Sequence, residues 1–419
     1  MIPTRGCGMT RPFSRWCRLA VVFGILGAIA APLALQARAP LPIATSYQEG
    51  REEDQVFKAV LKETCGRRII LLGENGFHGE GKTIAFKARL VEQLVSRCGF
   101  RIVLFEASHY EFLDIDRIAK RGEVIDRKQV SAAIGQIWNQ NQEMEGLISF
   151  LVTERNRGRF IVGGLDDQLG SRGLLYGNDA MIAELASLLP EPMQQSCGDR
   201  LKRRTYSAYS KEEPYSAGIR DGLQACVSSM RQAIAHQPQN RNTPYLFAML
   251  DNIERYLARD FQPDTRRMAG RDASMYLNFR WWLAHRGQLG PKILVWAANS
   301  HIAKGTGVDP QYEGGAPLGN LIAADFGRKA FSVGFSANSG NYRWSRSENK
   351  VIPFQADSLE NRAITTSGQA AVLVTSKAFK KEPEVSGLFN HQFQSAKWRK
   401  FFDAVVVFKA ERPPVRPNK

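Results

Sequence analysis

Four short apolar runs, each closing on a polar residue and set apart by stretches of helical spacing, constrain this chain most. They read RRIILLGE (67–74), RIVLFE (101–106), RFIVGGLD (159–166) and KILVWAAN (292–299). Unbroken apolar runs suit strands buried on both faces, and strand–helix–strand alternation makes a parallel sheet. The expected fold class is α/β, with a mainly parallel central sheet flanked by helices. Strands are expected at 68–72, 102–105, 159–163, 292–297, 330–335, 371–375 and 404–408. Helical spacing covers 51–63, 83–96, 111–121 and 128–155. Residues 171–284 show no strand pattern and read as a helical insertion. The α/β domain is then 40–170 with 285–412, and the end ERPPVRPNK leaves 413–419 as an expected disordered tail.

Residues 1–39 carry Arg5, Arg11, Arg15, Arg18 and Arg38 and no acid, and Leu19–Leu35 is almost wholly apolar. A basic start, an apolar middle and small residues at Ala37 and Ala39 read as a secretory signal. The apolar run is about 17 residues, at the short limit for a membrane span, so the alternative is an uncleaved anchor facing the periplasm. The expected localisation is exported, periplasmic or secreted. The net charge is +16, but it is scattered in RR, KR and KK pairs, and no nucleic-acid module is present. Membrane contact is expected only through the N-terminal segment, and nothing fixes an oligomeric state.

Four cysteines follow that segment. An even number in an oxidising compartment favours disulfides. Cys65 and Cys98 precede the first two strands at nearly equal distance from Glu74 and Glu106. If those strands are parallel neighbours, the two cysteines meet at the bottom of the sheet. Cys65–Cys98 is expected, and Cys197–Cys226 by elimination. No CxxC spacing occurs, so a structural zinc site is not expected.

Strand C-termini of a parallel sheet open on one edge. Glu74 and His78, then Glu106, then Asp166, then Asn299 and His301 should converge there. Two histidines among carboxylates suit general acid–base hydrolysis, with a carboxylate orienting the imidazole; the same groups could hold a metal. His109, His236, His285 and His391 lack such a setting and read as structural. The stretch also contains a literal phosphate-loop string, Gly76-x-x-x-x-Gly81-Lys82-Thr83. In a working loop the first Gly follows the strand directly. Here Gly73 ends the strand and Gly76 comes three residues later, which argues against a nucleotide site. No Gly-x-Ser-x-Gly elbow appears, so a serine nucleophile is not indicated.

The order of these motifs resembles the erythromycin esterase family, in a superfamily with Tiki-type proteases and haem-binding lipoproteins. GENGFHG is similar to the family's Gly-Glu-x-x-His-Gly turn, with one residue more between Glu74 and His78. Lys87 in AFKARL stands where the family often has Arg, and Glu106 in VLFEAS is its second-strand acid. Trp138 and Glu143, Gly164-Leu165-Asp166, RDASMYLN from Arg271 and FFDAVVVF around Asp403 also match. WAANSHIA resembles the strand end Trp-Ala-His-Asn-x-His, with Ala298 in place of the first His. The resemblance spans roughly 50–410.

It implies a hydrolase acting on a small-molecule ester or lactone. His78, Glu74, Glu106 and His301 would be catalytic: His78 the base on water, Glu74 its orienting group, His301 the acid or carbonyl contact. Lys87 would pair with Glu106, and Lys87, Glu143, Asp166 and Asn299 would contact substrate. No cofactor is expected. The alternatives are a lapsed periplasmic binding protein with haem or another small molecule as ligand, and a metal-dependent hydrolase or protease using His78, His301, Glu74 and Glu106.

Overall fold

The computed structural model describes residues 55–417 apart from 286, 288, 313 and 314. The expected signal or anchor at 1–39 lies outside the described residues. In chain order the strands are β1 (Ile69–Leu72), β2 (Ile102–Ser108), β3 (Ile161–Asp166), β4 (Ile293–Trp296), β5 (Ala330–Ala337), β6 (Asn341–Arg343), β7 (Asn349–Val351), β8 (Ala371–Thr375), β9 (Glu384–Phe389), β10 (Gln392–Ala396) and β11 (Ala404–Phe408). Seven form one sheet in the order β3-β2-β4-β1-β5-β11-β8. All its neighbours are parallel except β8, which runs antiparallel to β11. β1, β2, β3, β4, β5 and β11 are buried at every position. That two-sided burial is why they are apolar without alternation.

The fold class is α/β, as expected. Residues 171–284 are helical, from Asp179–Ala186 through Asp264–His285, and hold no strand. Three expectations need correction. The stretch 128–155 is not one helix: Gly135, at φ +88°, ends Arg127–Ile134 and starts the short turn Gln136–Asn139, which carries Trp138. Two hairpins, β6–β7 and β9–β10, were not foreseen. Residues 413–417 are packed rather than loose: Val415 N–H donates to Glu143 at 3.0 Å, and Gln142 N–H donates to the Val415 carbonyl at 2.8 Å.

Both disulfides form, Cys65–Cys98 with Cα atoms 5.1 Å apart and Cys197–Cys226 at 5.6 Å. The premise for the first was wrong, because β4 lies between β1 and β2. Instead the helices Gln55–Cys65 and Gly81–Cys98 both end beside the start of β4. There Lys292 Nζ donates to the carbonyls of Cys65 and Cys98, each at 2.7 Å. Replacing Cys65 and Cys98 by serine is expected to cost about 2–5 kcal/mol, because the unfolded chain is no longer cross-linked. Urea unfolding reads this directly, and a midpoint equal to the parent's would refute it.

The phosphate-loop string is filled by the protein itself. Glu411 accepts the amide hydrogens of Lys82 (2.9 Å) and Thr83 (2.7 Å) and the Thr83 hydroxyl (2.8 Å), while Lys82 Nζ donates to the Ala410 carbonyl. The helix N-terminus that would take a phosphate already holds a carboxylate.

Candidate active site

The loop after β1 places the first half of the site. A side chain on Gly73 would put its Cβ 2.0 Å from Asn299 Oδ1, so only glycine fits. Asn299 is consumed as a brace: Nδ2 donates to the carbonyls of Phe335 and Leu388, and Oδ1 accepts from Phe335 N–H. It is therefore not available as the substrate contact expected of it. Asn75–His78 then forms a tight turn, with His78 at φ +53°. This left-handed turn takes up the additional residue of GENGFHG and returns His78 Nδ1 to within 2.7 Å of Glu74 Oε1.

Glu74, 1 % exposed, is the hub. Oε1 also accepts Trp138 Nε1–H at 2.7 Å and Trp296 Nε1–H at 3.2 Å, and Oε2 accepts Lys87 Nζ at 3.0 Å. Lys87 is fully buried, with Nζ 4.0 Å from the Trp296 ring centroid. Burial pulls the Lys87 ammonium down to about 8, against the pull of Glu74. Burial pushes the Glu74 carboxyl up, but Lys87 and the His78 hydrogen bond outweigh it and leave it below its ordinary value. The expected Lys87–Glu106 pair is not made; the partner is Glu74.

A second network gathers the other strand ends. Arg271, on helix Asp264–His285, binds Asp166 through Nε (3.1 Å) and Nη2 (2.7 Å), and Glu106 Oε1 through Nη2 (2.9 Å). His301 sits between carboxylates, Nδ1 2.7 Å from Asp272 Oδ1 and Nε2 3.0 Å from Glu106 Oε1. The Tyr312 hydroxyl and Leu318 N–H donate to Asp272 Oδ2, and Ala298 N–H donates to Glu106 Oε2. Position 298 thus still serves the site, through its backbone. Burial pushes Glu106 up, but His301 and Arg271 outweigh it and hold it well below the carboxylate range.

Burial disfavours the His301 imidazolium, yet Asp272 and Glu106 lift it to about 10 from an ordinary 6.5. A group raised in the folded state adds stability that is complete below the unfolded value and is lost as pH climbs through the folded one. The window is therefore pH 6.5 to 10, with a total on the order of a few kcal/mol. In urea unfolding the stability advantage of the parent over His301→Gln should shrink across that window. Equal slopes would refute a charged His301.

A cavity of about 400 Å³ opens over this edge, lined among others by His78, Trp138, Glu106, Asp166 and Arg271. His78 has spent Nδ1 on Glu74, which leaves Nε2 for the cavity. Of the other expected residues, Lys87 and His301 lie behind this surface. Glu143 lies elsewhere, bound to Arg412 and Val415 N–H. The larger neighbouring cavity, about 690 Å³, lies between the inserted helices and Pro310–Gln311, shares Gln168 and Arg271 with the first, and has no histidine in its lining. Arg271, Asp272 and Tyr312 were not foreseen as site residues. Among the described residues no group of three His, Cys, Asp or Glu side chains is arranged to hold a metal ion. In the set His78, His301, Glu74 and Glu106, His301 has both ring nitrogens on carboxylates, Asp272 and Glu106, whereas His78 commits only Nδ1, to Glu74.

The fold and site define an α/β protein whose polar groups gather at the C-terminal edge of a parallel sheet, around a carboxylate-oriented histidine. The erythromycin esterase family model matches residues 95–410, and the chain belongs to that family. The match begins after Glu74, His78 and Lys87, so their placement rests on the geometry above. Among solved structures, the chain is similar to a succinoglycan biosynthesis protein (16% identity, 89% of this chain and 95% of that one, TM-score 0.67). It is also similar to a Bacillus cereus protein (18%, 86% and 92%, TM-score 0.64). A third is the erythromycin esterase EreC, a mutant in its open conformation (16%, 84% and 93%, TM-score 0.57). At these identities they show the shared fold.

Proposed function

We propose that this protein is a hydrolase that cleaves an ester or lactone of a small molecule with a water activated by His78. The observation that carries this is His78 itself, with Nδ1 held at 2.7 Å by a buried carboxylate and its side chain in the cavity lining. Glu74 fixes the tautomer with hydrogen on Nδ1, so the lone pair on Nε2 takes the proton from water. As the imidazolium forms, Glu74 stabilises it. Lys87 acts from behind by keeping Glu74 ionised. Arg271, in the cavity wall, is placed to meet charge developing on the carbonyl oxygen. Glu106 and Asp166 hold that guanidinium in place.

Hydrolysis of a panel of esters and lactones, macrolides included, tests this. Turnover by the parent that disappears in folded His78→Ala supports it; turnover unchanged in the variant sinks it. A second reading, a binding protein lapsed from catalysis, is favoured by Ala298 and by the burial of His301. Ligand binding without turnover on any member would install it. Export belongs to the same proposal: two disulfides suit an oxidising compartment, and among the described residues no helix is long and apolar enough to cross a membrane.

A further inference from the structure

The cavity has a charged floor and a charged rim, and the two differ. On the floor Glu106 and Asp166 are both paired with Arg271. The rim carries Arg172, Arg343, Arg346 and Arg416, and among the described residues none of these makes an ion pair. They come from three segments: the loop after β3, the β6–β7 hairpin and the packed C-terminal end. Arg343 and Arg346 are placed next to the base, because Arg343 N–H donates to the carbonyl of Gly79, which follows His78, at 2.8 Å. The contacts these guanidiniums do make are neutral. Arg343 donates to Asn141 Oδ1 at 2.8 Å and to the Pro414 carbonyl, and Arg346 donates to Gln136 Oε1. Burial first, and then the nearby Arg416, lower Arg343 from its ordinary value, against the pull of Glu143. Lys350 adds a further cation, 3.5 Å over the ring of Trp344, which also lines the rim. Glu348, at the tip of the same hairpin, does not line the cavity.

Four guanidiniums with no ion-paired carboxylate among the described residues, beside an exposed tryptophan and Phe77, make a cationic recognition surface. Guanidiniums bind oxyanions in a planar, charge-assisted way. We infer that the ligand carries an oxyanion group, a carboxylate, sulfate or phosphate, which the rim arginines bind while its apolar part lies against Phe77 and Trp344. This deepens the hydrolase reading by naming the substrate class: an ester or lactone with an acidic substituent, not a cationic one.

Binding tests this without turnover, using the full chain and its His78→Ala variant. The probe is 1-anilinonaphthalene-8-sulfonate, with uncharged N-phenyl-1-naphthylamine as its match. The sulfonate should bind at least tenfold more tightly, and the preference should shrink as salt is raised. Arg172 and Arg346 are exposed, so Arg172→Ala with Arg346→Ala should fold normally. The pair should lose about tenfold in sulfonate affinity and leave the uncharged probe unchanged. Arg346→Glu alone should act in the same direction. A preference that survives these substitutions overturns the inference. Inorganic phosphate, inorganic sulfate and acetate as competitors rank the three oxyanions. If hydrolysis fails on every ester but this preference holds, the hydrolase reading falls and the anion site stands. If esters are cleaved without the preference, only the anion site falls.

Discussion

Folded His78→Ala is expected to lose about 10²- to 10⁴-fold in kcat/KM, the range for removing a general base. The loss should fall on kcat more than on KM, because Nε2 acts on water and not on the bound ester. Stability should change little. His78 is partly exposed, at the edge of its turn, and its one fixed hydrogen bond is to a carboxylate with three other donors. The left-handed backbone costs a residue with a Cβ about 1 kcal/mol, most of it already borne by His78, and His78→Asn separates any remaining backbone effect, since asparagine tolerates that backbone. If Asn and Ala lose turnover equally at parental melting temperature, chemistry and not backbone is responsible. Turnover within tenfold of the parent in either would remove His78 as the base.

The parts of this molecule that were legible in the sequence share a cause. All seven strands of the central sheet are apolar because most are covered on both faces, and that pattern survives in one dimension. Glu74, His78, Glu106 and Asp166 were legible because each follows such a run. The hairpin β6–β7 was not: its strands are three residues long and mostly exposed, so they carry no alternation to read. The partner of Lys87 was misassigned for a topological reason. β4 enters between β1 and β2, which puts Glu106 one strand further away and leaves Glu74, at the end of β1, to take the ammonium. Arg271 and Asp272 had no local signal. They stand in a helix, 105 residues from Asp166 for the former, and only the return of the insertion onto β3 brings them in. Their trace in the sequence is a buried acid beside a basic residue in RDASMYLN, visible as a motif but without an assigned role. Glu143 shows the opposite error: an acid in the right motif, turned to the C-terminal segment.

Glu74→Ala is expected to be the most destabilising single change at the site, by about 3–5 kcal/mol, the range for removing one partner of a buried ion pair. Among the described residues the carboxylate is the only acceptor for the fully buried Lys87 ammonium, and it also satisfies Trp138 and Trp296. Removing it orphans three donors away from water. Lys87 already sits near 8 with its partner present, so without it the amine should be neutral in the folded state at pH 7. The unfolded chain would then hold one more proton than the folded one up to the ordinary lysine value, and stability should rise with pH from below 7 toward 10.5. In the parent the Lys87 contribution rises only from about 8, and it runs against the loss of the His301 contribution, which both proteins share. Urea unfolding of both proteins between pH 6 and 10 reads the difference. Adding Lys87→Met to Glu74→Ala removes the stranded amine and should recover part of the loss, and a non-additive double mutant identifies the pair as the cause. A Glu74→Ala penalty under about 1 kcal/mol, with a pH profile parallel to the parent's, would mean that water reaches Lys87 and that the hub is looser than these distances require.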